Sequence, residues 1–327
     1  MKAITVVIPN YNGKKYLSGC LESLLREAEV PGTPEFSVLV VDNGSTDGSE
    51  KELAEQWSGV QKLFLEENTG FCHAVNEGIK AAKTPYVLLL NNDTRVEEGF
   101  IQNLYTAIDR DESIFAVSAQ MLMWDRPELL DDAGDRYCAL GWAYARGKGK
   151  PAEQYNAPAE VFSACGGAAI YRRRIFEEIG LFDEAHFAYL EDLDIGYRAR
   201  IFGYRSFYES SARVLHYGSA STGSRYNERK TVLAAANSVY VAWKNMPFLQ
   251  LLINSPFLLM GFLVKFLFFC RKRMGMLYIK GLCQGVKRCF SADGRRARVP
   301  FRVKRMDNYL RIQGQLYLNI FRILMKS

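Results

Sequence analysis

The chain has little from which to build a disulfide frame or a zinc site. Its seven cysteines (20, 72, 138, 165, 270, 283 and 289) are odd in number and scattered, with no Cys-x-x-Cys pair. They read as reduced, mostly buried thiols. No basic-then-apolar leader precedes the first apolar segment, so no cleaved signal peptide is expected and a cytosolic location is. Internal repeats and low-complexity tracts are also missing. What is present is a folding composition, 48% hydrophobic and 24% charged, unlike that of a disordered chain. At 327 residues the chain can bury one large core, or one domain with an appendage.

Negative charge is nearly absent from one end. Residues 271–327 hold 15 Lys and Arg against 2 Asp and Glu, whereas the rest holds 27 against 34. The net charge of +6 thus conceals a basic tail that seeks an anionic surface.

Residues 3–121 alternate strand-like and helix-like segments. Strands are expected at 3–9, 36–41, 60–65, 86–90 and 114–121. Helices are expected at 15–28, 47–57 (capped by Ser45 or Thr46), 71–82 and 97–108. This β-α alternation predicts a doubly wound, mostly parallel α/β sheet. Residues 124–160 lose the rhythm and read as long surface loops. Regularity returns near 168–171 and runs to about His216, and 225–244 looks helical.

The most informative segment is Leu88-Leu89-Leu90-Asn91-Asn92-Asp93-Thr94. Residues 87–90 have the all-apolar pattern of an inner parallel strand, yet the strand ends in a carboxylate. Ligands of open α/β sheets bind beyond the carboxyl ends of strands, where hard oxygen suits Mg²⁺ or Mn²⁺. The bland alternative is a turn with Thr94 as N-cap and Glu97 completing a capping box. Three further strand ends are polar: Pro9-Asn10-Tyr11-Asn12-Gly13, Asp42-Asn43-Gly44-Ser45-Thr46-Asp47, and Glu66-Glu67-Asn68-Thr69-Gly70. Four such ends along one sheet edge predict a pocket. Asp42 can accept from a ribose hydroxyl or a base N–H. Gly44 and Gly70 allow close approach and positive φ, and Gly70 opens a helix whose free N–H groups favour phosphate. Asn76 lies about one turn in. His73 reads as a surface or packing residue.

The second half offers acid and base. Glu191-Asp192-Leu193-Asp194 starts a helix. The macrodipole favours acids there, but Leu193, Ile195 and Tyr197 give an apolar setting in which a carboxylate can act as a base. Val214-Leu215-His216 reads as a strand ending in a histidine able to ligate metal. Ser163-Ala164-Cys165-Gly166-Gly167-Ala168-Ala169 is a run of small residues, either a tight turn or a surface on which a sugar lies against backbone.

Taken in order, residues 6–12, 40–49, 67–71, 90–93 and 191–194 resemble the motifs of inverting glycosyltransferases of family two, which have the GT-A fold. The resemblance covers roughly residues 3–220, and the Asn-Asn-Asp form, the Gly-Gly run and the late His resemble its rhamnosyltransferase-like branch. It implies that Pro9, Tyr11, Asp42, Gly70, Asn76, Asn92 and Asp93 bind a dTDP- or UDP-sugar donor. Asp93 and His216 would hold Mg²⁺ or Mn²⁺ against the diphosphate. Asp192 would be the general base toward an acceptor hydroxyl, with Glu191, Gly166 and Trp142 at the acceptor, a glycan or lipid-linked sugar. The family's metal motif has a carboxylate at both ends; here the first is Asn91. That substitution keeps open the alternative of a catalytically silent nucleotide-sugar-binding scaffold at the membrane. A nucleotidyltransferase would want a Gly-rich basic loop after the first strand, and Tyr11-Asn12-Gly13-Lys14-Lys15 is a poor one.

The expected organisation is a GT-A domain at 1–222 and a helical, basic, membrane-associating region at 223–327. Within the first, 1–121 is the nucleotide-sugar half and 122–222 the acceptor and catalytic half. Residues 248–270 are long enough to span a bilayer, but Gln250, Asn254, Ser255, Pro256 and Lys265 interrupt them. With Arg271-Lys272-Arg273 behind, 248–305 is expected to lie on an anionic cytoplasmic leaflet; a true span and a buried core helix are the other readings. No nucleic-acid motif accompanies the charge.

Overall fold

The computed structural model describes residues 3–218 and 227–325. The boundary expected at 222 lies outside them, as does the start of the helix expected at 225. Strands β1 (Ile4–Asn10), β2 (Phe36–Asn43), β3 (Gln61–Leu65) and β4 (Tyr86–Leu90) are mutually parallel, with β1 between β4 and β2. They are followed by β5 (Thr94–Val96), β6 (Ile114–Met123), β7 (Arg126–Asp132), β8 (Asp135–Tyr137), β9 (Ala143–Ala145), β10 (Ala159–Val161), β11 (Ala168–Arg172) and β12 (Arg205–His216). The main sheet runs β10-β12-β6-β11-β4-β1-β2-β3, with β5 on β12 and β7 on β6. β11 is antiparallel to both β4 and β6. The helices are α1 (Lys14–Arg26), α2 (Ser49–Gln56), α3 (Phe71–Ala81), α4 (Phe100–Asp109), α5 (Arg173–Ile179), α6 (Glu191–Phe202), α7 (Glu228–Asn245), α8 (Phe248–Arg271), α9 (Gly275–Phe290), α10 (Ala292–Arg296) and α11 (Met306–Leu324).

The continuous apolar runs of β1 and β4 are explained by burial on both faces. Val6, Ile8, Leu88 and Leu90 face one core with Leu21, Leu24 and Phe100. Val7, Val87 and Leu89 face the other with Val75 and Ile79. A third core joins the two halves of the chain: Tyr137, Phe162, Leu193 and Tyr197 pack with Val241, Leu258, Tyr309 and Leu316.

Three local expectations are corrected. Thr94 does not cap a helix, and Glu97 makes no capping box. Residues 94–96 pair antiparallel with β12, Thr94 opposite His216, and the next helix starts at Phe100 behind Gly99. Strand pairing outweighs the local cap. Neither Ser45 nor Thr46 caps α2, whose N-cap is Gly48; the side chain of Asp47 instead accepts from Ser49 N and Oγ. Residues 124–160 are not simply loops. They contain β7, the β8–β9 hairpin and β10, short strands whose pairing is set from a distance.

The interruptions in α8 have a structural reason. Gln250 and Asn254 are buried and face the protein: Tyr197 Oη donates to Gln250 Oε1 (3.0 Å), and Asn254 Nδ2 donates to Gln313 Oε1 (2.8 Å). Leu249, Leu252, Leu259, Leu263 and Leu267 are exposed on the other side. α8 is the one helix among the described residues long and apolar enough to cross a membrane.

Candidate active site

The ends of β1, β2 and β4 are tied together beneath the expected pocket. Asn92 Nδ2 donates to Asn10 Oδ1 (2.7 Å), and Asn10 Nδ2 donates to Asp42 Oδ1 (2.7 Å) and Ser49 Oγ (3.0 Å). Asp42 Oδ2 accepts from Ser45 N (3.0 Å). Asn92, Asn10 and Asp42 are all buried, so this chain of bonds fixes the relative positions of three strand ends. Pro9 lies beside it on β1 and Tyr11 stands partly exposed beyond. Gly44 and Gly70 both have positive φ, 69° and 95°. At Gly70 the close approach is by protein: an added Cβ would lie 2.7 Å from Phe187 Cδ2. The Phe187 carbonyl also accepts from Cys72 N (3.3 Å) at the start of α3, which takes one of the donors expected to face phosphate. Asn76 is likewise committed, donating to Phe182 O (2.8 Å) and Glu184 Oε1 (2.9 Å) and accepting from Phe182 N. His73 pairs with Glu184 (2.9 Å).

The pairing of β5 with β12 brings Asp93 to His216. His216 Nε2 lies 3.4 Å from Asp93 Oδ1, while its Nδ1 is 2.7 Å from Asp131 Oδ2. Asp131 also accepts from Lys148 Nζ. Burial opposes charge on His216, but the two carboxylates outweigh it and push its pKa up to about 9. Burial would raise Asp131 too, but its bond to His216 and its pair with Lys148 hold it well below the usual range.

A cation would fit between Asp93 and His216. An oxygen and an imidazole nitrogen converge there, and a carboxylate sits on the other ring nitrogen, as metal-binding histidines require. Asn91 offers no charge. A second cluster of donor atoms, from Asp183, His186 and Asp194, lies within 4.8 Å. It does not suit a metal, because a cation is already inside: Lys244 Nζ sits 2.7 Å from Asp183 Oδ2 and 2.8 Å from Asp194 Oδ2.

Glu191 and Asp192 open α6 in a buried acidic setting. Burial raises Asp192 well above its ordinary value, and neighbouring Glu191 adds to this. Burial likewise brings Glu191 to about 7. Asp132 and Asp135 face the same group and are raised for the same reason. Among the described residues, Glu191 Oε2 and Asp192 Oδ1 have no hydrogen-bond partner. The small-residue run explains how these groups come close to the β4 end. An added Cβ on Gly166 would lie 2.6 Å from Asp192 Oδ1, and one on Gly167 would lie 3.1 Å from Asn91 Nδ2. Trp142 is placed on α8, its Nε1 donating to Gly261 O (3.1 Å).

Sequence reasoning missed Asp131, Asp132 and Asp135. Alternation along β7 turns Asp131 toward His216 and Asp132 toward the Asp192 group. The signal was the acidic, Gly-containing run Asp131-Asp132-Ala133-Gly134-Asp135, which has no hydrophobic rhythm of its own.

Comparison with known proteins bears on the class of molecule. The fold is shared with solved GT-A glycosyltransferases. One is the crystal structure of GalNAc-T7 with UDP, GalNAc and Mn²⁺ (TM-score 0.59, 18% identity, 75% of this chain and 48% of that one). Another is the mannosyltransferase PcManGT from Pyrobaculum calidifontis in complex with GDP-Man and Mn²⁺ (TM-score 0.52, 16% identity, 100% and 88%). Residues 5–180 match the model of glycosyl transferase family 2. An N-acetylglucosaminyl-diphospho-decaprenol L-rhamnosyltransferase of Mycobacterium tuberculosis is 31% identical over 254 residues, covering 67% of this chain and 78% of that protein. The chain belongs to glycosyl transferase family 2, in its rhamnosyltransferase-like branch.

Proposed function

We propose that this glycosyltransferase is cation-dependent and inverting. It moves a sugar, rhamnose by likeness to the mycobacterial relative, from a dTDP- or UDP-sugar to a hydroxyl of a glycan or lipid-linked acceptor in cell-surface polysaccharide synthesis. The observation that carries the reading is the Gly166-Gly167 turn, packed between Asp192 on one side and the Asn91-Asn92-Asp93 turn on the other. It keeps a half-buried carboxylate, the proposed base, next to the proposed donor end of the sheet.

Asp42, with Pro9 and Tyr11, would receive the nucleoside. Asp93 and His216 would hold Mg²⁺ or Mn²⁺, which when bound neutralises the departing diphosphate. Asp192, its proton affinity raised by burial and by Glu191, takes the proton of the acceptor hydroxyl as that oxygen attacks the anomeric carbon. The C–O bond to the diphosphate breaks on the opposite face, so configuration inverts without a covalent enzyme intermediate. Gly70 and Asn76 act on the donor indirectly, through the segment around Phe182–Phe187 that they hold. Trp142 would serve the acceptor side by bracing its loop on α8.

We take 1–222 as the transferase part and 223–327 as the part that places it on the cytoplasmic face of the membrane, though the two share a core. The exposed apolar face of α8 and the Arg271-Lys272-Arg273 cluster behind it support an in-plane position on an anionic leaflet. The test of the catalytic assignment is donor turnover by Asp192→Asn and Asp93→Ala. Both should lose it with the fold intact, and wild-type rates in both would end the proposal.

A further inference from the structure

The backbone just ahead of α6 is strained. Of the four residues before Glu191, Phe187, Tyr189 and Leu190 have φ of 62°, 72° and 66°, a region disfavoured for side chains of this size. Leu190 sits at the N-cap position and offers no capping side chain. Such a run persists only where the surroundings over-determine it.

The surroundings here converge on one residue of α7. Asn237 is fully buried, and its amide donates to three backbone carbonyls of the segment: His186 O (3.0 Å), Ala188 O (3.0 Å) and Tyr189 O (2.8 Å). Two amide hydrogens shared among three acceptors hold the turn closed. The other end of the same amide is fixed from α9, where Arg288 Nη1 donates to Asn237 Oδ1 (2.6 Å). That bond assigns the amide orientation, since a flipped Asn237 would set its NH₂ against a guanidinium and its oxygen against three carbonyls. On its far side the strained segment presses Phe187 against Gly70, where α3 begins.

We infer that Asn237, oriented by Arg288, is the positioning residue that holds residues 186–190 in the strained turn from which Glu191 and Asp192 enter the site. It touches no reacting atom and acts through the backbone that carries the base. The inference rests on Asp192 being that base. Relaxing the turn would move the carboxylate from its place beside Gly166, and small misplacements of a reacting group lower the rate steeply.

The experiment is steady-state kinetics on full-length Asn237→Ala, Arg288→Met and Arg288→Lys, with Asp192→Asn alongside and melting curves for each. Asn237→Ala should lose about ten- to a hundredfold in kcat, with the donor KM within about twofold. Arg288→Met should show the same pattern more weakly, and Arg288→Lys, which can still donate to Asn237 Oδ1, should recover most of the loss. A purely packing role would lower the melting temperature but leave kcat of the folded fraction unchanged. Wild-type kcat in folded Asn237→Ala, or in Arg288→Met if the first variant does not fold, overturns the inference while Asp192→Asn remains inactive. Full activity in Asp192→Asn would instead remove the reading on which it rests.

Discussion

At Asp192 the working charge state is governed by what lies around it. Burial comes first and Glu191 second, and both favour the protonated form. As the proposed base, Asp192 works only when deprotonated, so activity should be lost as pH falls through this raised value, above the ordinary carboxylate range. Glu191→Gln removes a negative neighbour and should move the acidic limb of the rate profile to lower pH. An unmoved limb would show that Glu191 does not tune the base. On the donor side, Asp131→Ala leaves the Nδ1 of His216 without its carboxylate. It should weaken Mn²⁺ binding about 10- to 100-fold, as read by titration calorimetry, and an unchanged affinity would deny Asp131 that role. The positions of Asp42, Asp93 and Asp192 were legible in the sequence because each stands at the end of an apolar strand or the start of a helix, where a carboxylate is conspicuous; their roles are proposals. The positions of Asp131 and Asp132 were not, since their places beside His216 and Asp192 depend on the pairing of β7 with β6, and their own segment has no hydrophobic rhythm. Asn237 was invisible for another reason: a lone Asn in a helix gives no sign of which distant backbone it holds.

Among the elements, α8 shows how far periodicity can be read. Its length and apolarity were plain, and so were the polar residues that argued against a clean span. What the sequence did not show is that Gln250 and Asn254 share an inward face, bonded to Tyr197 and Gln313, because their partners lie on α6 and α11. The apolar residues left outside form the exposed face proposed to meet lipid. Leu252→Glu with Leu263→Glu, two exposed positions, should abolish sedimentation with anionic vesicles and leave the fold unaltered; unchanged sedimentation would exclude this face as the contact. The first four strands fell where their apolar runs predicted. β5 did not, because its pairing partner, β12, is more than a hundred residues away.

The whole molecule is stapled where α6 meets α7. Lys244 joins Asp183 and Asp194, with Arg198 and Asn245 also on Asp194. Lys244→Met would leave the buried Asp194 and the half-buried Asp183 short of a cation and should cost about 3–5 kcal/mol in chemical denaturation; a loss below about 1 kcal/mol would show the staple to be dispensable. The pH dependence follows in sign. Burial lowers His186 from 6.5 to about 4, so between those values the unfolded chain binds the proton more readily and stability falls as pH falls. Despite its burial, Asp194 is held low by Lys244 and Arg198. Its contribution is present above the ordinary carboxylate pKa and is lost in stronger acid. His186→Gln should flatten the profile between pH 6.5 and about 4, and an unchanged slope would assign that loss elsewhere.

Whether this enzyme inverts is read most directly from the anomeric configuration of the product. Purified enzyme, Mn²⁺ and a dTDP- or UDP-sugar that it turns over would be followed by NMR, with Asp192→Asn in parallel. An inverting, cation-dependent transferase with Asp192 as its base gives an inverted linkage, loss of turnover on chelation, and a fall of about 10²–10⁴ in rate for Asp192→Asn with donor still bound. Retention of configuration, or transfer at the wild-type rate by Asp192→Asn, would contradict that assignment.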